Sequence, residues 1–542
     1  MVYGKKWGED LSRLNKIELL KLEKDGLDVL QDIERYAKLG YGAIPPDDLE
    51  RLKWVGVYEQ RPKDGHFMLR VRVPSGFLNS RQVRILAAIG HIYGRNLVDV
   101  TTRQAVQFHW LRVEHLPDVL RRLQAVGLFS IEACGDCPRN VMGNPLAGID
   151  PNELMDTTEL VRQVQDYFIL NRDFSNLPRK FKISISANIY NTGHAEINDL
   201  SFTPAVKMIN GEEVTGFHVW VGGGLSTLPQ MAQQLDIFVL PEKVLDVAIG
   251  VATIFRDYGY RQYRNRSRLK FLVADWGIKK FEAKLLEFTG ELPSRGEDRI
   301  IGWNGGYFVG VYPQKQPGLY YVGLAIPGGR MKAFELAELA RLADEYGNGS
   351  LRSCNSQNLI ITHVPEEKLK GLLQEPVLKR ISPIPNTFTG YAVSCAGNEF
   401  CSKAVVETKG RMKTITEYLD AHVKLDTPIR LHMSGCPNSC GQTQIADIGL
   451  QGTVIKTPKG PQDAFEISLG GTLGPGTTFA GKLKGRVLGK DTVQVIAELI
   501  RVYQEIRLKG ETFHDCVQRV GLAPFQARYE ELLGSGLHKC VG

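Results

Sequence analysis

An α+β protein with pseudo-two-fold symmetry is predicted by three observations: one segment pattern occurs twice, a second pair of segments matches, and strand-like and helix-like stretches mix in each copy. Residues 67 to 129 resemble residues 320 to 375. In the first copy Arg72-Val-Pro-Ser-Gly ends a strand, a helix-like stretch runs to Tyr93-Gly94, and Val98 to Phe108 reads as a strand. In the second, Ala325-Ile-Pro-Gly-Gly precedes the helix-like Lys332 to Tyr346, and Cys354 to Ile361 takes the place of Thr101 to Phe108, which aligns Gln104 with Gln357. The second pair sets Pro178-Arg-Lys-Phe-Lys-Ile-Ser-Ile-Ser and His194 to Leu200 against Pro428-Ile-Arg-Leu-His-Met-Ser-Gly-Cys and Thr443 to Gly449. The join falls near Gly290-Glu-Leu-Pro-Ser-Arg-Gly-Glu-Asp, where turn formers and charges cluster.

The elements divide the 542 residues into an N-terminal helical extension and arm (1–65), a first half-repeat (66–150), a second unit (151–300), a second half-repeat (301–390) and a last unit (391–542). Leu11 to Leu39 reads as one amphipathic helix stopped by Gly40. No apolar run is long enough to span a bilayer, and the N-terminus lacks a secretory pattern, so a cytoplasmic protein without a membrane role is expected. Nine cysteines in such a chain do not make a disulfide scaffold, so metal or redox use is the better reading. A net charge of +7 is too dilute to indicate nucleic acid.

Two cysteine pairs stand close in the last unit: Cys395-Ala-Gly-Asn-Glu-Phe-Cys401 and Cys436-Pro-Asn-Ser-Cys440. Four soft thiolates from two loops suit a cuboidal iron–sulfur cluster. A zinc site accepts four cysteines too, although its pairs are usually more tightly spaced, and buried inert cysteines are the bland reading. Cys354, Cys516 and Cys540 have no partner motif and receive no role.

Together with Gly397, Phe400, Gly435, Pro437 and Asn438, these motifs resemble the cluster signature of the siroheme-dependent nitrite and sulfite reductases, a likeness running from about Tyr36 to about Gly485. The resemblance implies duplicated ferredoxin-like half-domains plus siroheme- and [4Fe–4S]-binding α/β domains. It implies that Cys395, Cys401, Cys436 and Cys440 hold a [4Fe–4S] cluster, with Cys440 also bridging the siroheme iron.

Reduction of a small oxyanion needs cationic donors and protons. Lys180 and Lys182 alternate along a strand and so share a face. On their own they would read as a solvated edge; the resemblance makes them catalytic, with Arg70 and Arg139. Siroheme carries many carboxylates, and the resemblance assigns them Arg103, Gln104, Gln107 and His109, and from the basic run 256–270 Arg264, Arg268 and Lys270. The stretches Gly222-Gly-Gly-Leu-Ser and His194 to Asp199 match the same family.

Lys182, and Glu132-Ala-Cys-Gly-Asp-Cys-Pro-Arg139 with Trp54-Val-Gly-Val-Tyr58, resemble ferredoxin-dependent bacterial sulfite reductases, in which the tyrosine and first cysteine are joined; a Tyr58–Cys134 cross-link is therefore expected. Cys134 and Cys137 as an inert pair or a metal-binding Cys-x-x-Cys is the alternative. The first cluster motif resembles the nitrite form instead. The expected activity is six-electron reduction of sulfite to sulfide, with nitrite to ammonia as the alternative. A zinc-stabilised nucleic-acid-binding protein, using the 256–270 run, is the remote one. With no flavin or nicotinamide fingerprint, ferredoxin is the expected donor to a monomer.

Overall fold

The computed structural model describes residues 13–384, 387–458 and 460–534, and shows the duplication as four sheets in two matched pairs. One five-stranded sheet runs Val57–Glu59, His66–Val71, Val106–Arg112, Leu97–Val100 and Arg330–Lys332. Its counterpart runs Gly310–Pro313, Leu319–Leu324, Leu359–Pro365, Ser350–Ser353 and Phe77–Asn79. Each half thus lends its partner an edge strand: Arg330–Lys332 pairs with Leu97–Asp99, and Phe77–Asn79 with Ser350–Arg352. The helices Ser80–Ile92 and Ala333–Tyr346 pack together, and one continuous apolar core includes Val29, Phe67, Leu324 and Ile361. The halves form one body, a union that the linear domain division does not express.

The other two sheets carry the site. In the first, Met142–Gly143, Ile183–Ile185 and the start of Leu200–Ile209 run parallel, followed by antiparallel Glu212–Val221 and Gln233–Val239. The second repeats this with Ala392–Ser394, Leu431–Ser434, Ile448–Thr457 and Gly460–Leu469. Buried helices Val244–Tyr258 and Thr492–Ile506 back them. The first of these sheets begins at Met142, ahead of the boundary expected at 151.

Two expectations need correction. The N-terminal helix is broken into Lys16–Glu23 and Ile33–Leu39, because Gly26 lies flat against Trp54, where a Cβ would stand 2.2 Å from the indole. Leu11 lies outside the described residues; Gly40 does end the second piece, at φ +83°. In the second matched pair the first strands are also offset by two residues, and the segments that follow them by one. Ile183 pairs with Leu200 and Leu431 with Ile448, so Lys182 corresponds to Arg430 rather than His432. The same backbone bond marks both: Lys182 N–H donates to Asp199 Oδ2 at 2.9 Å and Arg430 N–H to Asp447 Oδ2 at 2.8 Å. An even offset preserves the facing of side chains, so the pattern looked sound at either register.

Candidate cofactor and oxyanion site

Parallel strands bring the cysteines together. Ala392–Ser394 and Leu431–Ser434 lie side by side, so the loops that follow both leave from one end of the sheet. Cys395 N–H donates to Met433 O at 3.1 Å, and its Sγ accepts Gly435 N–H at 3.1 Å. The loops meet at glycines: a Cβ on Gly435 would lie 2.8 Å from Ala404 Cβ and 3.4 Å from Gly397 Cα. Burial and the neighbouring Cys440 push the Cys395 thiol up to about 11, and burial followed by Cys440 and Cys401 raises that of Cys436. Cys440 thus lies within electrostatic reach of both Cys395 and Cys436, and Cys401 within reach of Cys436. Among the described residues no three His, Cys, Asp or Glu converge as a single metal ion needs. A cuboidal cluster offers one iron to each thiolate, and this donor set fits it.

The first half closes over the same place. Thr102 Oγ donates to Cys440 O at 3.2 Å, and Lys180 lies within electrostatic reach of Cys440. Lys180 and Lys182 are half-buried, and neither amino group has a hydrogen-bond or ion-pair partner among the described residues. Burial, then Arg268 and Arg179, pushes Lys180 down to about 7. Burial, then Lys180, Arg103 and Arg268, lowers Lys182 well below its usual range. Arg103 falls to about 9, through burial chiefly, with Arg139 and Arg268 adding to the fall and Asp199 opposing it. Its Nη groups reach Asn198 Oδ1 at 2.8 Å and Asn140 O at 2.9 Å, while Nε is buried without a partner. Such an excess of buried positive charge around one carboxylate is what a polycarboxylate tetrapyrrole beside the cluster would relieve, so these residues fit siroheme.

Other candidates lie along a connected network. Arg70 donates to Gln107 Oε1 at 3.0 Å and to Cys134 Sγ at 3.5 Å. Gln107 Nε2 lies 3.2 Å from His109 Nε2, which is also 3.1 Å from Asp99 Oδ2. Burial opposes ionisation of Asp99, but Lys409 and Arg330 hold it well below the usual carboxylate range. His109 stacks on Phe400 at 3.8 Å, the residue before Cys401. Arg70 is thus tied through side chains to the cluster loop. Tyr58 hydrogen-bonds the Cys134 side chain, and burial followed by Cys134 pushes its phenol up. Cys134 and Cys137 are both free thiols, and Cys137 Sγ donates to Cys134 O at 2.9 Å.

Four of the expected site residues are spent on the protein itself. Gln104 is buried in a left-handed conformation, its amide donating to Ser75 O and Gly143 O and accepting Gly143 N–H. Gln357 does the same in the other half, bonding Val100 O and Ser394 N–H, so the aligned glutamines are structural clamps. Arg264 makes a bidentate pair with Asp136 at 2.6 and 3.0 Å. Lys270 donates to Gly224 O, Leu225 O and Leu228 O, which pins the glycine loop. Arg139 is 8% exposed and anchors its own loop through Ala133 O and Gly135 O, leaving its charge but few free donors.

Arg268 pairs with Asp199, and Arg261 with Glu18. The 256–270 run is therefore largely paired inside the protein. Sequence reasoning missed Asp136 and Asp199, the acids that neutralise the buried cations. A lone Asp within Cys-Gly-Asp-Cys, close to so many basic residues, was the available signal.

Residues 134–291 and 389–536 match the family described as "Nitrite and sulphite reductase 4Fe-4S domain". Residues 58–126 and 312–378 match "Nitrite/Sulfite reductase ferredoxin-like half domain". The ferredoxin–nitrite reductase of Synechococcus elongatus is 42% identical over 90% of this chain and 96% of its own. The ferredoxin-dependent sulfite reductase 1 of Mycolicibacterium paratuberculosis is 36% identical over 93% of this chain and 94% of its own. The solved structure of the Mycobacterium tuberculosis NirA protein superposes with a TM-score of 0.88 at 36% identity, covering 94% of this chain and 97% of that one.

Proposed function

The chain belongs to the nitrite and sulphite reductase family, an oxidoreductase family using siroheme and a [4Fe–4S] cluster, and from that premise we propose that it reduces nitrite to ammonia with six electrons from reduced ferredoxin. The observation that carries this reading is that several relatives spanning some nine-tenths of the chain are ferredoxin–nitrite reductases, including those of Synechococcus elongatus and spinach. The pocket is compatible with it. A second lysine argued for a dianion by counting charges, but burial and then Lys180 oppose the charged form of Lys182. A monoanion then needs fewer charges than the sequence suggests.

When bound, the siroheme iron and the cluster supply the electron transfer and the open coordination position for the oxyanion. Cys395, Cys401, Cys436 and Cys440 would hold the cluster, Cys440 on the side that Thr102 and Lys180 approach. Arg103, Arg268, Gln107 and His109 would face the siroheme carboxylates. Lys180, poised near neutrality, holds and releases a proton at Nζ, while Lys182 and Arg70 orient the anion's oxygens. Arg139 adds fixed positive charge behind them.

Sulfite is the second reading, favoured by the contact between Tyr58 and Cys134 and by the Mycolicibacterium relative. Steady-state kinetics of the siroheme-loaded protein with reduced ferredoxin, comparing kcat/KM for the two anions in one buffer, decides. A higher value for nitrite is expected. A higher value for sulfite would overturn the substrate and leave the cofactors standing.

A further inference from the structure

Conversion of nitrite to ammonium consumes eight protons with the six electrons, and sulfite to hydrosulfide consumes seven. Lys180, the proton donor proposed above, must be reprotonated repeatedly in each turnover. A row of buried polar atoms leads away from it.

Arg103 Nε, Asn140 Oδ1, Arg139 Nε, Arg72 Nε and Glu132 Oε1 are all buried and have no hydrogen-bond partner among the described residues. The residues that carry them are linked in series, Arg139 and Asn140 being adjacent in sequence. Arg103 and Asn140 exchange contacts at 2.9 Å through their side chains and carbonyls. Arg72 Nη2 donates to Arg139 O at 3.0 Å, and Arg72 and Glu132 lie within electrostatic reach of each other. Native interiors satisfy nearly all such atoms, and a polar row of this kind is where ordered water is held.

The far end is Glu132. Its side chain is fully buried, its residue adopts φ +54°, and its Oε2 accepts the N–H of Leu170 at 2.6 Å. Leu170 is 50% exposed, so the segment that binds the carboxyl reaches the protein surface. The groups facing Glu132 are Arg72 at the end of its strand, Asp25 from the N-terminal segment and Cys137 on its own loop. Trp54 O accepts the Glu132 N–H and holds that loop in place.

We infer that Glu132 is the proton-loading group of a water-lined relay running past Arg72, Arg139 and Asn140 to the oxyanion pocket. In each turn the carboxylic acid gives its proton inward to water beside Arg72. The carboxylate left behind faces the Arg72 guanidinium, and a proton from solvent on the Leu170 side restores the acid. One proton enters and one leaves, and no electron moves. Burial, opposed mainly by Arg72, pushes this carboxyl up to about 7, where it exchanges protons at neutral pH.

The inference rests on the oxyanion-reductase reading but not on which anion is reduced. The test is Glu132→Gln in the cofactor-loaded enzyme, since the amide oxygen can still accept the Leu170 N–H. With either anion saturating, kcat at pH 6.5 should fall about tenfold with KM unchanged. The deficit should shrink above pH 8, where the wild-type carboxyl is already ionised. Infrared spectra should show a buried carboxylic acid titrating near pH 7 in the wild type and absent from E132Q. That readout needs no turnover. A pH profile that coincides with or runs parallel to the wild type, or the absence of such a band, would overturn the relay. A wild-type enzyme inactive on both anions would instead sink the proposed function, with the infrared result unaffected.

Discussion

Substituting Lys182 by Gln removes one cation from the pocket and asks how many charges the bound anion carries. At an effective dielectric of about 20, unit charges about 6 Å apart interact by roughly 2.8 kcal/mol. Lys182 is half-buried, and burial and Lys180 oppose its charged form, so about half of that, some 1.4 kcal/mol, is the working figure, a factor of about ten. The interaction scales with the ligand's charge. For nitrite, a monoanion, KM should therefore rise about tenfold in K182Q, and for the sulfite dianion at alkaline pH about a hundredfold. The assay is steady-state reduction of each anion by one donor at fixed ionic strength. The ratio of the two effects is the readout, because loss of packing would move both anions alike. An equal change for both, or an unchanged KM, would refute the placement of Lys182 beside the anion.

Further outcomes follow from the same geometry. Lys180 has a folded value of about 7 against roughly 10.4 unfolded, so the unfolded chain binds more protons between about pH 7 and 10 and stability should rise with pH across that window. Thermal melting of protein stripped of siroheme should climb from pH 6.5 to 9, and K180M should flatten the climb. Peptide mass spectrometry should find the Tyr58 and Cys134 peptides joined with loss of two hydrogens to an oxidant; two unmodified peptides would exclude the cross-link. Asp136 is buried under Arg264, Arg179 and Lys21. D136N should cost about 3–5 kcal/mol in denaturant unfolding, and a loss under about 1 kcal/mol would mean that the cations find other partners.

The duplication and the two cysteine motifs could be read in the sequence because each depends on short-range order. Turn chemistry, alternation along a strand and the spacing of thiols survive in the linear string. The swap of edge strands between the halves could not be read, because Phe77–Asn79 and Ser350–Ser353 are as strand-like paired within their own half as across it. The two-residue offset was hidden for a similar reason, since alternation is indifferent to an even shift.

Charge was the other blind spot. Arg264, Arg268 and Lys270 look alike as a basic run, yet one is held by Asp136, one lies beside the pocket on Asp199, and one pins three carbonyls. Which cations remain free depends on acids up to 243 residues away in the chain. The cysteine motifs, through the family resemblance they carry, pointed to the cofactor chemistry of this protein. Tertiary structure alone decided which of its positive charges are available to an anion, because a buried charge is defined by its partners and those partners meet only in three dimensions.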